Sequence, residues 1–168
     1  VEDLLASVPG LEDIANLTSV QVSNIGSEDM TDEIWACLVK ETESQLKDPE
    51  VAGVVITHGT DTLEETAFLC DLVLTTRKPV IFTAAMRSGD EIGLDGPRNI
   101  IGSVRVACNP DSMDKGVLVV MNDEIHTARY VTKTHTTNVA TFRTPTFGPI
   151  GLVSKHKVSF FEEVLRHT

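Results

Sequence analysis

Two polar clusters in the sequence combine residue types that can hydrolyse an amide. The first, residues 58–62, contains Thr60 and Asp61, and the second, residues 131–137, contains Lys133. Amide hydrolysis needs a nucleophile, a group that takes its proton, and a site that stabilises the developing oxyanion. A hydroxyl, a carboxylate and an amine that converge can supply these parts. Thr60, Asp61 and Lys133 are therefore the candidate catalytic residues.

The three residue types suggest a division of roles. A threonine hydroxyl is a weak nucleophile until a base removes its proton. Lys133 can be that base only where burial or cationic neighbours favour the neutral amine, and a nearby Asp61 works the other way. Asp61 is better suited to hold Lys133 and to bind a substrate ammonium group, while Thr60 positions the nucleophile or water. In the alternative interpretation, Thr60 and Asp61 are only turn and cap residues, and Lys133 is a surface lysine.

The first cluster lies between a predicted strand and a predicted helix. An apolar run at residues 53–57 is typical of a parallel strand covered on both faces. Residues 63–69 continue as a helix, and Thr62 with Glu65 matches a capping box. The turn thus lies at the carboxyl end of a strand and the amino end of a helix. Open α/β sheets bind their ligands at that place, and free helix amides there attract anions.

Strand and helix patterns alternate along most of the chain. A helix is predicted from residue 32 to the break at Pro49, and another begins with Asp95 as its N-cap. Further strands are predicted at residues 20–25, 79–84, 116–121, 124–127, 130–132 and 150–153, with a turn at residues 122–123. This alternation predicts a three-layer α/β/α sandwich with a mostly parallel sheet.

Composition excludes several classes of function. The net charge of −11 argues against nucleic acid, because neutralising phosphates requires clustered basic residues. No apolar stretch approaches the ~20 residues that span a bilayer. The five histidines lack the spacing of metal ligands. The three cysteines have no CxxC spacing and are predicted to be small buried hydrophobes.

Several motifs together resemble a known family. The chain is similar to the bacterial type II L-asparaginases, of the secreted or periplasmic asparaginase and glutaminase-asparaginase group. The matching segments are residues 24–30 (NIGSEDM), 54–66 (VVITHGTDTLEET), 85–87 (AMR), 95–97 (DGP), 116–123 (GVLVVMND) and 131–136 (VTKTHT). They cover almost the whole chain in order and with family-like spacing.

The resemblance implies a fold and an activity. Residues 1–160 would form the flavodoxin-like amino-terminal α/β domain, and residues 161–168 would begin a linker to a second domain. The implied reaction is hydrolysis of L-asparagine to L-aspartate and ammonia through a threonine acyl-enzyme, with L-glutamine as a further candidate substrate. It implies no metal or organic cofactor, no nucleic acid or membrane partner, a homotetramer, and a periplasmic or secreted location.

The resemblance also assigns roles to residues. Thr60, Asp61 and Lys133 would form a second catalytic triad, and Thr60 and Asp61 would also contact the substrate. Ser27 and Glu28 would hold the substrate's α-carboxylate and α-amino groups. The backbone of Ala85 would meet the side-chain amide. His58 and His135 are expected to be structural.

Two departures from the family qualify these expectations. Family members open with a Thr-Gly-Gly-Thr-Ile segment whose first threonine is the primary nucleophile, and the 168 residues contain no such segment. The isolated chain is therefore expected to have little or no activity. The alternative is a non-catalytic chain that keeps an amino-acid pocket or serves in assembly. Glu28 replaces a glutamine of many members, which slightly favours dual specificity.

Overall fold

A six-stranded mixed sheet forms the centre of the molecule in the computed structural model, which describes residues 2–87 and 89–166. Its strands are β1 (Val54–Thr57), β2 (Val80–Thr83), β3 (Val117–Met121), β4 (Glu124–Thr127), β7 (Gly151–Ser154) and β8 (Lys157–Phe160). Their order in the sheet is β1-β2-β3-β4-β7-β8. The first three strands are parallel, and the remaining pairs are antiparallel. Two short strands, β5 (Thr132–Lys133) and β6 (Phe142–Arg143), pair as a separate antiparallel ribbon.

Helices cover both faces of the sheet. They are α1 (Glu2–Ala6), α2 (Asp32–Lys47), α3 (Leu63–Val73) and α4 (Gly96–Cys108), with 3-10 turns at Ser27–Asp29 and Pro110–Ser112. Successive strand side chains point to opposite faces. Phe82 of β2 accordingly packs in the cluster that contains α2 and α3, while its neighbour Ile81 packs in the cluster that contains α4. The three-layer α/β prediction is confirmed.

The hairpin that joins β3 to β4 matches its prediction closely. Asn122 and Asp123 have φ angles of 51° and 66°. Positive φ at both central residues defines a type I′ turn, whose twist suits a two-residue hairpin. β4 has the predicted bounds, Glu124–Thr127.

Residues 20–25 do not form the strand that their alternation predicts. Val20 and Ile25 are 50% and 43% exposed, and only Val22 packs against the core. A strand needs a neighbouring strand to complete its ladder, and β1 pairs only with β2 in the described sheet. The strand prediction for residues 20–25 is therefore wrong, because alternation alone could not supply a pairing partner.

The cysteine prediction is correct at one position of three. Cys70 of α3 is buried, and burial with the nearby Asp71 charge raises the pKa of its thiol to about 12. Cys37 and Cys108 are exposed. Cys37 directly precedes the core residue Leu38 on α2, and adjacent helical residues do not share a face. Cys108 is the last residue of α4.

A side-chain hydrogen bond ties the first turn of α2 to the first turn of α3. The indole Nε1 of Trp35 donates to Oγ1 of Thr66 at 2.9 Å, and Thr66 is fully buried. Beside this contact lies an open apolar groove of about 610 Å³, lined in part by Val39, Leu69 and Val73. Among the described residues, no helix is long and apolar enough to cross a membrane.

The stretch predicted to begin a linker follows β8. Residues 161–166 form no helix or strand, although Arg166 donates to the carbonyl oxygen of Thr76 at 3.2 Å. The last two residues of the predicted linker, 167 and 168, lie outside the described residues.

Candidate active site

Thr60, Asp61 and Lys133 meet at one point. Nζ of Lys133 lies 3.0 Å from Oγ1 of Thr60 and 2.8 Å from Oδ1 of Asp61. The Lys133 side chain is 17% exposed, whereas that of Asp61 is 61% exposed and open to solvent. The Lys133 side chain donates to both oxygens. The amine therefore holds the hydroxyl and the carboxylate in a fixed relation.

The turn that carries Thr60 and Asp61 is a direct extension of β1. The amide of His58 donates to the carbonyl oxygen of Thr83 at 2.9 Å, which extends the parallel ladder by one residue. Gly59 follows at a point of close approach. A Cβ at this position would lie 2.6 Å from Oγ of Ser27, a distance that no side chain tolerates. The glycine therefore allows Ser27 to reach the turn.

Ser27 caps the amino end of α3 from a distant segment. Its Oγ accepts from the amides of Asp61 at 3.1 Å and Thr62 at 3.3 Å. Thr62 occupies the N-cap position, but its hydroxyl makes no cap bond to the helix and donates to the Ser27 carbonyl oxygen at 2.7 Å. The predicted capping box of Thr62 and Glu65 is therefore wrong. A capping box is a local motif, and here a buried serine from a distant segment accepts from the Thr62 amide that Glu65 would bind in such a box.

The other two predicted substrate contacts differ in their environment. Glu28 is exposed, and its carboxylate folds back beside Gly26. Within the described ranges, no hydrogen bond or ion pair joins Glu28 to Thr60, Asp61 or Lys133. Ala85 follows β2, the strand next to β1, so its backbone lies at the same edge of the sheet as the Thr60 turn.

The backbone around Ala85 is held by two side chains of the α4 region. Asp95 accepts from the amide of Met86 at 3.1 and 2.9 Å and from the amide of Arg87 at 3.0 Å. Asn99 donates to the Ala84 carbonyl oxygen at 2.9 Å. Asp95 was predicted as an N-cap, and it does occupy that position, but its carboxylate makes no cap bond to α4. It orders the loop after β2 instead.

Glu64 is the site neighbour that the sequence did not reveal. Its Oε1 accepts from the Thr132 hydroxyl at 3.0 Å, and its Oε2 accepts from the Lys133 amide. The strand that carries Lys133 is thus attached to the helix that follows Asp61. The available signal was the position of Glu64 in the first helical turn, directly after the polar cluster.

The two histidines near the site have structural contacts. His58 Nδ1 donates to the Gly59 carbonyl oxygen at 2.8 Å, and burial lowers the pKa of its ring below the usual 6.5. His135 Nδ1 accepts from the amides of Thr137 and Asn138, both at 3.2 Å. Across residues 2–87 and 89–166, no group of three His, Cys, Asp or Glu side chains is arranged to hold a metal ion.

Known proteins with similar sequence or structure are asparaginases. Residues 1–166 match the family described as Asparaginase, N-terminal. L-asparaginase 2 of Escherichia coli is 46% identical over 160 residues, which are 95% of this chain and 45% of that protein. Glutaminase-asparaginase of Acinetobacter glutaminasificans is 39% identical over 169 residues, covering 100% of this chain and 51% of that protein.

A solved structure has the same fold. The probable cytoplasmic L-asparaginase of Campylobacter jejuni superposes with a TM-score of 0.93 at 42% identity, covering 98% of this chain and 50% of that one. The chain spans about half the length of the relatives that it matches. The motifs, the sheet and the matched length agree: this chain belongs to the asparaginase family and corresponds to its N-terminal region.

Proposed function

We propose that the protein hydrolyses L-asparagine to L-aspartate and ammonia, with L-glutamine as a second substrate. The observation that supports this best is the double contact of Lys133 Nζ, 3.0 Å from the Thr60 hydroxyl and 2.8 Å from the Asp61 carboxylate. Such an arrangement fixes a hydroxyl beside a positive charge at the carboxyl edge of a sheet, where a developing oxyanion can be stabilised. Family membership favours the same reaction.

In the proposed mechanism these residues support a threonine acyl-enzyme. The family resemblance implies that the primary nucleophile is a threonine that is not among the 168 residues. Its hydroxyl attacks the side-chain amide carbon, the C–N bond breaks, and ammonia leaves. Water then hydrolyses the ester and releases L-aspartate. Thr60 orients the nucleophile or the water, Lys133 keeps Thr60 in place, and Asp61 binds the substrate ammonium.

The substrate contacts follow from hydrogen bonding around the turn. Ser27 Oγ already accepts from two amides, so its own proton is directed to another acceptor, for which a substrate α-carboxylate is suited. Glu28 and the exposed Asp61 carboxylate supply negative charge for the α-ammonium group. The Ala85 backbone, ordered by Asp95 and Asn99, is positioned to meet the side-chain amide.

Ammonia release by the full-length protein tests the proposal directly. We expect turnover with L-asparagine, slower turnover with L-glutamine, and a loss of about 10²-fold in Thr60→Val, because the variant loses the hydroxyl that orients the nucleophile or the water. Calorimetric measurement of L-aspartate binding distinguishes the proposed hydrolase from the alternative, a non-catalytic chain with an amino-acid pocket. Binding without turnover in the full-length protein would favour that alternative. We expect residues 1–168 alone to show little or no turnover.

Assembly and compartment are further parts of the proposal. We propose a homotetramer, from the family resemblance, and light scattering of the full-length protein would show a mass of four chains. A monomer with full activity would contradict it. We also propose a periplasmic or secreted location. The Campylobacter jejuni relative is described as cytoplasmic, so cell fractionation rather than family membership decides this point.

A further inference from the structure

We infer that Glu64 is a positioning residue that keeps the Lys133 amine at hydrogen-bond distance from Thr60 and Asp61. This inference rests on the proposed function of the triad. Within residues 2–87 and 89–166, no hydrogen bond or ion pair joins Glu64 to the side-chain groups of Thr60, Asp61 or Lys133. Glu64 acts on the backbone and the neighbouring hydroxyl of the strand that carries the lysine.

The strand β5 needs an external support. It has two residues, and its one ladder partner, β6, also has two. An isolated two-stranded ribbon is marginally stable in water. On the outer side of β5, the amide of Lys133 donates to Glu64 Oε2. The carboxylate thus takes the position that a neighbouring strand's carbonyl would occupy.

A carboxylate makes this contact more strongly than its amide counterpart does. Two donors, the Thr132 hydroxyl and the Lys133 amide, point at the two oxygens of Glu64. An ionised carboxylate only accepts, whereas a glutamine presents one oxygen and one NH₂ donor. Replacing Glu64 by glutamine keeps its shape but removes the charge, and its NH₂ group faces Thr132 only if the Thr132 hydroxyl turns from donating to accepting. Charge-assisted hydrogen bonds are also the stronger kind.

The same residue couples the two halves of the site. Glu64 lies in the first turn of α3, directly after the turn that carries Thr60 and Asp61. Negative charge there is favourable for the helix dipole. The Glu64 side chain therefore fixes the position of Lys133 relative to the helix that follows Asp61. A shift of about 1 Å in a catalytic group can lower the rate by about 10²-fold.

The test compares Glu64→Gln with Glu65→Gln in the full-length protein. Glu65 is the adjacent, exposed glutamate of the same helical turn, so both variants remove one charge. We expect kcat of Glu64→Gln to fall about 10²-fold while KM changes less than about threefold. We expect Glu65→Gln to behave like the wild type. An equal loss in both variants, or a Glu64→Gln kcat within about threefold of wild type, would overturn the inference.

A second variant covers the case in which Glu64→Gln folds poorly. Thr132→Val removes one of the two donors and leaves the carboxylate in place, and we expect a smaller fall in kcat with the thermal midpoint nearly unchanged. A Thr132→Val variant with wild-type kcat and a Glu64→Gln loss that follows only its thermal midpoint would also overturn the inference.

A crystal structure of Glu64→Gln gives a readout that does not depend on turnover. We expect Lys133 Nζ to leave hydrogen-bond range of Thr60 Oγ1, and an unchanged 3.0 Å contact would contradict the inference. An inactive wild-type protein would defeat the proposed function alone, because this displacement can still be measured.

Discussion

The turn that carries Thr60 and Asp61 and the ribbon that carries Lys133 meet at one point but are held by different contacts. The turn continues a buried parallel strand, and Ser27 closes its helix end. The ribbon has a two-residue ladder, and it relies on the buried Phe142 and on Glu64. A main-chain ladder tolerates side-chain changes, whereas a support made of side chains does not. The ribbon should therefore be the more fragile half.

The largest effect is expected from removing the amine that joins the two halves. Lys133→Met keeps the length of the side chain but loses both hydrogen bonds, so we expect kcat to fall about 10³-fold. Asp61 is open to solvent, so stability should change little. Lys47→Met, at an exposed position near the end of α2, is the matched control. Steady-state kinetics of both variants would decide, and a fully active Lys133→Met would contradict the proposed role.

Removing the core anchor of the ribbon should destabilise the protein strongly. Phe142 is 2% exposed and packs in the cluster under α2 and α3. Phe142→Ala should cost about 3–5 kcal/mol of unfolding free energy, through lost burial and a cavity. Urea unfolding measures this cost, and hydrogen exchange at Thr134 should rise beyond that at β1. An equal rise in hydrogen exchange at Thr134 and at β1 would contradict the conclusion that the ribbon is the more fragile half.

The serine cap provides a smaller effect on the turn. Ser27→Ala leaves the amides of Asp61 and Thr62 without their buried acceptor, and we expect a loss of about 1–2 kcal/mol. Thr31→Ala is a control, because Thr31 caps α2 with one exposed contact of 3.4 Å and should lose less. Thermal unfolding compares the two. A larger loss in Thr31→Ala would argue against the importance of the distant cap.

One buried histidine, His126, and one half-buried histidine, His58, should make stability fall in mild acid. Burial lowers the pKa of His58 and of His126, and in His126 it outweighs the attraction of Glu124. Below pH 6.5 the two histidines bind protons in the unfolded chain, whereas in the folded chain they stay neutral to lower pH. The free energy of unfolding therefore decreases as the pH is lowered. The slope is at most about 1.4 kcal/mol per pH unit for each histidine.

The variant His126→Gln isolates one of these contributions. In the wild type, His126 Nε2 lies 3.1 Å from a Glu124 oxygen and Nδ1 lies 2.9 Å from the Thr144 hydroxyl. The variant should be less stable overall but should lose less stability between pH 7.5 and 5.5. Urea unfolding at three pH values gives the slopes, and an identical slope in both proteins would contradict the prediction.

Sequence patterns predicted the turn half of the site far better than the ribbon half. The apolar run at β1 and the helix after Thr62 are local signals, so the location of Thr60 and Asp61 followed from them. The partnership of Ser27 with the Asp61 amide, and of Glu64 with β5, joins distant segments that no local pattern relates. For the same reason, residues 20–25 were predicted as a strand although pairing depends on a neighbour elsewhere in the chain.

The hydrogen bond between Trp35 and Thr66 makes Trp35 a natural fluorescence probe of the packing of α2 against α3. Trp35 is the single tryptophan of the chain, and its indole is fixed in the contact between α2 and α3. Lys133 reaches Thr60 across a much longer stretch of sequence, and longer loops close at a higher entropic cost. Refolding followed by tryptophan emission should therefore register helix docking as an early phase. In residues 1–168, protection of the Lys133 amide from hydrogen exchange should lag behind that signal by the time that the ribbon needs to reach the turn.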